Sequence, residues 1–428
     1  MALQVSSRLL PLTWTATEQG RLMVGGCDVV DIAEQYGTPL YVYDEWTLRQ
    51  RCQQAVYAFG NTVAYASKAF LCGAMAKLAH EEGLAIDVAS AGELFLALRA
   101  GVPADRIVFH GNNKSTQELT YALQQKVGRI VVDSLNELER LKRLSGFGYG
   151  KPKVLIRVTP GVDAHTHEFI ATGHEDVKFG LSIASGAATE AVIRARRDDS
   201  GVVLVGIHAH IGSQVTEASS FAKLVQVMAT FFLPLGLPEL VIGGGLGVPY
   251  VNGDMAPTMN EWGDVVRRAK DEAGISASVH VGVEPGRAIV AQAGMTLYRV
   301  GTVKDLPDIR TYVAVDGGMS DNLRPMLYGA KYEAFLPRCV GVERPKPIRL
   351  VGKHCESGDV LIDDAWVPED LKVGDVLAMP MTGAYGHAMA NNYNRIPKPA
   401  VVFVADGKSR LVVRRETYED LIHLDVFE

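Results

Sequence analysis

The sequence predicts a parallel (β/α)8 barrel followed by an antiparallel β domain. Eight short β-branched runs lie between residues 63 and 283, and helix-like patterns fill the gaps between them. The first four runs begin 22 residues apart, which is the length of one compact strand–helix unit. After Gly294 long helical patterns nearly disappear, and Gly, Asp and Pro turns join the strands. An open doubly wound sheet is the alternative, but the alternation shows no division into two halves.

The spacing of apolar residues places each barrel element. Steps of three and four residues predict helices over Gly92–Arg99, Thr116–Gln125, Asn136–Leu144 and Phe221–Phe232, with a helix over Glu45–Phe59 leading into the barrel. The eight predicted strands are Val63–Tyr65, Ala85–Val88, Ile107–His110, Arg129–Val132, Val154–Arg157, Val203–His208, Leu240–Ile242 and Val279–Val283.

Three segments follow from this pattern. Residues 1–41 should join the β domain, because RLMVGGCDVV (21–30) reads as a strand and a turn. Residues 42–294 should form the barrel. Residues 295–428 should form a C-terminal β domain with a sandwich or barrel-like fold.

Composition narrows the function classes. The 428 residues are 47% hydrophobic and 21% charged, as in ordinary globular proteins, and the net charge of −6 gives no reason to expect nucleic-acid or acidic-membrane partners. Five cysteines without a CxxC motif indicate free thiols in a reducing compartment. The most apolar window, Val227–Val248, contains two prolines and Glu239, which is unlike a membrane span, and the N-terminus has no signal-peptide pattern. We expect a soluble, cytoplasmic protein.

Polar residues follow nearly every predicted barrel strand. Because the carboxyl ends of barrel strands meet at one mouth, these side chains should share one site. In chain order they are Ser67 and Lys68, Asp87 and Ser90, His110 to Asn113, Thr159, His208, His210, Ser213 and Gln214, Gly243 to Gly245, and Glu284, Gly286 and Arg287.

Lys68 follows the apolar run VAYAS, so its ammonium should sit in an apolar mouth. Such an amine loses its proton more easily and can form a Schiff base. On this residue alone, a lysine that reaches out to solvent or pairs with Asp87 is the simpler interpretation.

Two further groups surround this mouth. The run Gly243 to Gly245 offers close backbone N–H groups that suit a phosphate, although a plain tight turn explains the run equally well. Glu284 needs a cationic or protonated partner, which is either Arg287 or the nitrogen of a heterocyclic ligand. A Schiff-base lysine, a phosphate nest and a carboxylate for a pyridine nitrogen are what pyridoxal 5'-phosphate (PLP) needs.

Several histidines raise the question of a metal. His208 and His210, together with His165, His167 and His174, contain enough imidazoles for a metal site, but no Cys or acidic ligand stands at a usable spacing. We therefore predict no metal, and interpret His210 as a flat ring stacked on a planar cofactor.

Seven motifs in order resemble those of the diaminopimelate decarboxylases, which are PLP enzymes with an alanine-racemase-like fold. The likeness spans roughly residues 40 to 400, and HEFIATGHEDVKFGL (167–181) also matches. The motifs are YASKAF (65–70), HIGSQ (210–214), GGGLG (243–247), EPGR (284–287), LRPMLYGA (323–330), CESGD (355–359) and GAYGHAMANNYN (383–394).

The resemblance implies a role for each matching residue. Lys68 would carry PLP, His210 would stack on its ring, and Glu284 would bond the pyridine nitrogen. Cys355, donated by the second subunit of a homodimer with shared active sites, would protonate the carbanion. The remaining cofactor contacts would come from Ser213, Gly244, Gly245, Gly286, Arg287 and Tyr385, and the substrate contacts from Arg287, Arg324, Tyr328, Glu356 and Tyr385.

The implied activity is decarboxylation of meso-diaminopimelate to L-lysine, the last step of lysine biosynthesis. Arg287 and Arg324 suit the distal carboxylate, and Glu356 suits the distal ammonium. The alternatives are a decarboxylase of another basic amino acid or of a carboxylated polyamine, and a catalytically inactive regulatory relative. The intact Lys68, His210, Glu284 and Cys355 argue against the last.

The sequence departs from the family pattern at two positions. Phe70 stands where the first motif more often has Asn, which puts one polar contact near Lys68 in doubt. His387 lies in a last motif that more often reads SMxSNYN, so the loop after Tyr385 could differ.

Overall fold

The structure, a computed structural model, describes residues 5–161 and 177–427. Contacts within the chain divide it into two compact units. One unit comprises Arg51–Val248 and Ala256–Ala288, and the other comprises Met1–Gln50, Pro249–Met255 and Ile289–Glu428. The boundaries expected from sequence, at 41/42 and 294/295, stay a proposal; the strand Leu40–Asp44, which spans the first of them, lies in the second unit.

The first unit contains an eight-stranded parallel barrel, as predicted. Neighbouring strands pair in chain order, and a bridge between Val63 and Val283 brings the first and last strands together. The backbone N–H of Ala64 donates to Val283 O at 2.9 Å, and that of Ala66 to Pro285 O at 3.1 Å. In order, the barrel strands are Ala64–Ala66, Ala85–Val88, Ile107–Phe109, Arg129–Val132, Lys153–Thr159, Val203–His208, Glu239–Val241 and His280–Gly282.

Helices cover the outside of this sheet. Hydroxyl side chains begin several of them: Ser115 and Thr258 form capping boxes with Glu118 and Glu261, and Ser90 accepts from the N–H of Glu93 at 3.2 Å. These caps fix where each loop ends, and hence where the mouth residues lie. The helices are Glu45–Phe59, Gly73–Glu81, Ala91–Arg99, Thr116–Gln125, Leu135–Leu144, Ala187–Ala195, Ser219–Phe232, Met259–Glu272 and the short Arg287–Val290.

The second unit is built on a mixed sheet. Most neighbouring strands are antiparallel, but Arg310–Val315 pairs with Lys346–Val351 in parallel, and so does Leu40–Asp44 with Ala400–Ala405. The 13-residue strand Gly294–Leu306 pairs with three others. The remaining strands of the sheet are Val360–Val367, Val376–Pro380 and Lys408–Val413.

The N-terminal segment belongs to this second unit, as the sequence predicted. Its strands Thr15–Ala16, Leu22–Val24 and Cys27–Asp28 form a small antiparallel sheet. Leu22 and Val24 are buried in one apolar cluster with Leu297 and Val402 of the large sheet. Burial of such side chains is worth about 1.5–3 kcal/mol each, which anchors the segment. The helices here are Val29–Tyr36, Arg324–Tyr328 and Tyr418–Ile422.

No helix in the described part of the chain is both long and apolar enough to cross a membrane.

Candidate active site

Lys68 lies on a short 3-10 turn, Ser67–Ala69, directly after the first barrel strand. Ser67 and Ala69 are buried, whereas the Lys68 side chain is exposed. The expectation of a buried ammonium is therefore wrong: the strand ends two residues earlier, and the turn takes Lys68 out of the packed wall. The amine remains accessible at the mouth, as covalent attachment of a ligand requires.

Glu284 follows the eighth strand and pairs with two histidines. Its Oε1 lies 3.2 Å from Nε2 of His110, and its Oε2 lies 3.0 Å from Nε2 of His208. Burial alone would raise the pKa of Glu284, but His208 and then His110 hold it well below its usual range. These two histidines were not among the partners considered from the sequence, which were Arg287 and the nitrogen of a heterocyclic ligand.

His110 stands between two carboxylates, because its Nε2 also lies 3.6 Å from Oδ1 of Asp87. Burial works against its protonation, but Glu284 and Asp87 raise the pKa of His110 to about 9. Burial lowers the pKa of His208, although Glu284 works against this shift, and the His208 Nε2–H donates to the Glu284 carboxylate. The Asp87 carboxyl is itself buried, and burial followed by the charge of Glu284 raises its pKa to about 7.

His210 lies just beyond the sixth strand. Its Nδ1 accepts a hydrogen bond from the N–H of Gly244 at 3.2 Å, which assigns the ring proton to Nε2. Burial, and then the positive charges of Lys68 and Arg157, hold the pKa of His210 well below its usual range. A neutral, flat imidazole is suited to stacking on an aromatic heterocycle, and this role of His210 stays a prediction.

The glycine run after the seventh strand is required by close packing. A Cβ on Gly244 would lie 2.0 Å from the carbonyl oxygen of Glu284, and one on Gly245, at φ +107°, would lie 2.1 Å from that of Gly212. The tight-turn interpretation therefore holds for these residues. A phosphate contact remains a prediction for Gly244, whose N–H donates to His210 in this structure.

Arg287 begins a short helix, Arg287–Val290, at the same mouth. Its guanidinium is buried, and Nη2 donates to Oγ of Ser213 at 2.8 Å. Gly286, one residue earlier, fits tightly, since a Cβ there would lie 2.9 Å from the carbonyl oxygen of Ala66. All of the site residues that the sequence predicted for the barrel therefore lie at the ends of its strands. They are Lys68, His210, Ser213, Gly243 to Gly245, Glu284, Gly286 and Arg287.

The other predicted site residues lie in the second unit. Arg324 is buried, its Nη1 donates to the hydroxyl of Tyr332, and its guanidinium carbon lies 4.5 Å from the ring centroid of Tyr250. Burial alone would lower the pKa of Arg324, but Tyr250 and Tyr332 raise it. Tyr328 ends the same short helix and is half-buried.

Cys355 and Glu356 share an exposed turn of the second unit. The N–H of Cys355 donates to Oδ1 of Asn394 at 3.0 Å, and a Glu356 carboxylate oxygen accepts from the N–H of Gly358 at 3.3 Å. Tyr385 is half-buried in a left-handed backbone conformation, at φ +62°. The exposed side chains of Cys355 and Glu356 are available to a reacting group or to a surface that covers the turn.

The side chains that contact Glu284 and Arg324 were not identified from the sequence. His110, Asp87 and His208 were recognised as strand-end residues, but nothing in the sequence indicated that two of them hold Glu284. Tyr250 and Tyr332 carried no signal. His165, His167 and His174, and residues 167–176 of the motif HEFIATGHEDVKFGL, lie outside the described residues.

Among the described residues, one group of side chains at the mouth could hold a metal ion. One nitrogen each of His110 and His208 and an oxygen of Glu284 lie within 4.8 Å of one another. A metal would require both nitrogens to be free of protons, whereas the neighbouring carboxylates favour protonated His110. The pairing already described accounts for the cluster without an ion.

The chain is similar to known pyridoxal-dependent decarboxylases. The family described as "Pyridoxal-dependent decarboxylase, pyridoxal binding domain" matches residues 46–291. The chain is 46% identical to the diaminopimelate decarboxylase of Mycobacterium tuberculosis, over 99% of each chain, and 47% identical to that of Bacillus subtilis, over 96% of each. A solved structure of diaminopimelate decarboxylase from M. jannaschii in co-complex with L-lysine superposes with a TM-score of 0.90 at 33% identity, over 98% of each chain.

Proposed function

The chain belongs to the pyridoxal-dependent decarboxylases, and within them to the diaminopimelate decarboxylases, and we propose that it converts meso-diaminopimelate to L-lysine and CO2. The observation that carries the proposal is the barrel mouth. There an accessible amine, a neutral flat imidazole and a buried, ionised carboxylate stand at the ends of strands one, six and eight.

The residues present fit PLP as a resident cofactor. Lys68 supplies the amine that would hold its aldehyde carbon, the ring of His210 would lie against its ring, and Glu284 would hold a proton on its pyridine nitrogen. The glycine turns bring backbone close to the mouth without intervening side chains, and Arg287 orients the hydroxyl of Ser213. When bound, PLP supplies an electron sink for the pair left as CO2 departs.

The second unit supplies groups that suit the distal end of the substrate. Arg324 presents a charged guanidinium whose fork can bind a carboxylate through two parallel hydrogen bonds. Glu356 can accept from an ammonium, and Tyr328 and Tyr385 offer hydroxyls. A lysine or ornithine substrate has no distal carboxylate for Arg324 to bind.

We propose further that two copies of the chain share their active sites. Cys355 and Glu356 are exposed, yet a carbanion must be kept from bulk water until a chosen proton donor reaches it. A partner subunit that covers the turn would satisfy this requirement, and the thiol of Cys355 would then deliver the proton. Five free thiols are in keeping with a reducing, cytoplasmic setting.

The test is CO2 release from meso-diaminopimelate beside lysine, ornithine and arginine, with PLP added. We expect turnover of meso-diaminopimelate alone, with L-lysine as the product. Turnover of lysine or ornithine at a comparable kcat/KM would contradict the substrate assignment. A protein that binds PLP and releases no CO2 from any of the four would contradict the enzyme assignment.

A further inference from the structure

Two histidines from different barrel strands hold the carboxylate of Glu284, with their ring centroids 5.1 Å apart. His110 comes directly after the third strand and His208 ends the sixth, while Glu284 follows the eighth. Each histidine takes a different carboxylate oxygen, at 3.2 Å and 3.0 Å. Because the contacts come from separate strands, they fix both the position and the rotation of the carboxylate plane.

We propose that His110 and His208 are positioning residues that keep Glu284 ionised and aimed at the ring nitrogen of the cofactor. This inference rests on the proposed function, because it assumes that Glu284 faces that nitrogen. It concerns two residues to which the resemblance assigns no role.

The two histidines contribute differently. The ring of His110 lies between two buried carboxylates, Asp87 and Glu284, and a cation at that point prevents two like charges from facing each other across the mouth. His208 contacts one carboxylate only, burial lowers its pKa, and its buried Nδ1 has no hydrogen-bond partner among the described residues. The two therefore differ in geometry: His110 bridges two carboxylates, whereas His208 gives Glu284 one directional hydrogen bond.

Asp87 allows the cluster of Asp87, His110, His208 and Glu284 to take up an extra proton without protonation of Glu284. Its carboxyl, with a pKa raised to about 7 by burial and then by Glu284, takes up a proton far more readily than Glu284 does. Glu284 can therefore remain ionised while the cluster gains or loses a proton. The charged and titratable groups that act on this cluster are Lys68, Asp87, His110, Arg157, His208, His210 and Glu284.

A purely structural ion pair is the competing explanation, and kinetics can separate the two. The variants are His110→Gln and His208→Gln, which keep a neutral hydrogen-bonding group, and the control is His280→Gln. His280 is exposed at the opposite end of the strand that leads to Glu284. We expect kcat of His110→Gln to fall about 10- to 100-fold, as for other groups that orient a catalytic residue, with KM within about 3-fold.

The pH dependence of kcat provides a second test, because a loss of stability alone would not change it. In the wild type, deprotonation of His110 near pH 9 should contribute an alkaline decline in kcat, and His110→Gln should lack this contribution. If both variants match His280→Gln in kcat and in pH profile, the positioning role is wrong.

A measurement on the full chain without cofactor separates this inference from the proposed function. With 15N-labelled histidine, His110 should give the signal of an imidazolium at pH 8 in the wild type, and should lose its charge at a lower pH in Glu284→Gln. A neutral His110 at pH 8 in the wild type overturns the inference, whatever the enzyme's substrate. Because this arm needs only the wild-type chain, the inference remains falsifiable if a variant fails to fold.

Discussion

The two groups of proposed site residues lie in contrasting surroundings. At the barrel mouth, Asp87, His110, His208 and Glu284 are buried or nearly so and form one connected set of ion pairs and hydrogen bonds. In the second unit, Cys355 and Glu356 are exposed on a turn, where the N–H of Cys355 donates to Oδ1 of Asn394 and the Glu356 carboxylate accepts from the N–H of Gly358.

This contrast separates two ways of preparing a group for chemistry. The protonation states at the barrel mouth are set by neighbours within the same chain, before any ligand or partner arrives. Among the described residues, no comparable set of ion pairs surrounds the exposed turn, so the shared-site proposal assigns its preparation to a partner subunit. Substitutions in each region can break this contrast.

The largest effect is expected at the barrel mouth. Lys68→Ala should reduce turnover by about 10³-fold or more, because no other group can take over a covalent step. Folding should be nearly unchanged, since the side chain is exposed. Turnover with fresh PLP, the yellow absorption band and thermal unfolding check these points.

Lys77→Ala is the matched control for that variant. Lys77 is an exposed lysine on the next helix, 3.8 Å from Glu81, and its loss should leave turnover intact. Wild-type turnover in Lys68→Ala would show that Lys68 is not part of the active site. The barrel mouth would then not be the region prepared for the covalent step.

The exposed turn is tested by mixing inactive chains. If Cys355 serves the partner's site, Lys68→Ala chains refolded with Cys355→Ala chains give hybrid dimers in which one site carries both changes and the other neither. Random pairing makes about half of the dimers hybrid, so roughly a quarter of wild-type turnover should return across a two-fold interface.

The control for mixing is each variant refolded alone, which should stay inactive. Hybrid dimers identified by mass, but without recovered turnover, would mean that Cys355 serves its own chain. The turn would then have to be covered by its own chain.

Arg324 offers an intermediate case, a buried cation in the second unit. Arg324→Lys keeps the charge but loses the two-pronged geometry, so KM for meso-diaminopimelate should rise about 10- to 100-fold, equivalent to about 1.5–3 kcal/mol. PLP affinity should change little. Steady-state kinetics and PLP titration measure the two effects.

Arg344→Lys serves as the control for this substitution. Arg344 is also buried in the second unit, where it donates to Ala334 O at 2.9 Å, and it should affect stability rather than KM. A variant at Arg324 that binds substrate normally and loses only PLP would place the residue with the cofactor instead.

The sequence predicted the barrel because each unit repeats one local pattern. Ala85–Val88, Arg129–Val132 and Val203–His208 match the observed strands residue for residue, since β-branched runs are a local signal. The strand-end rule then placed Lys68, His210 and Glu284 at the mouth. The parallel pairs in the mixed sheet were not predicted, because strands distant in sequence form them.

Side-chain partners escaped prediction for a physical reason. The Glu284 carboxylate selects its neighbours by distance across the barrel, and 76 residues separate it from His208 along the chain. Arg324 likewise contacts Tyr250, which is brought near only by folding. For Cys355 and Glu356, the motif resemblance alone pointed to a role, because a β turn has no equivalent of the strand-end rule.

The smallest expected effect concerns His387, a half-buried titratable group that contrasts with the exposed turn of the same unit. Its ring packs edge-on against Tyr41 at 5.8 Å, and burial, followed by the charge of Lys398, lowers the pKa of His387 to about 4. Between pH 6.5 and pH 4 the unfolded chain therefore binds a proton that the folded chain excludes, so stability must fall as the pH falls.

Between pH 7 and pH 5 the free energy of unfolding should fall about 2 kcal/mol more in the wild type than in His387→Gln. Urea unfolding at fixed protein concentration measures this difference, with His280→Gln as the exposed-histidine control. Parallel pH dependence in the wild type and His387→Gln would mean that His387 is as accessible to protons as the residues of the exposed turn.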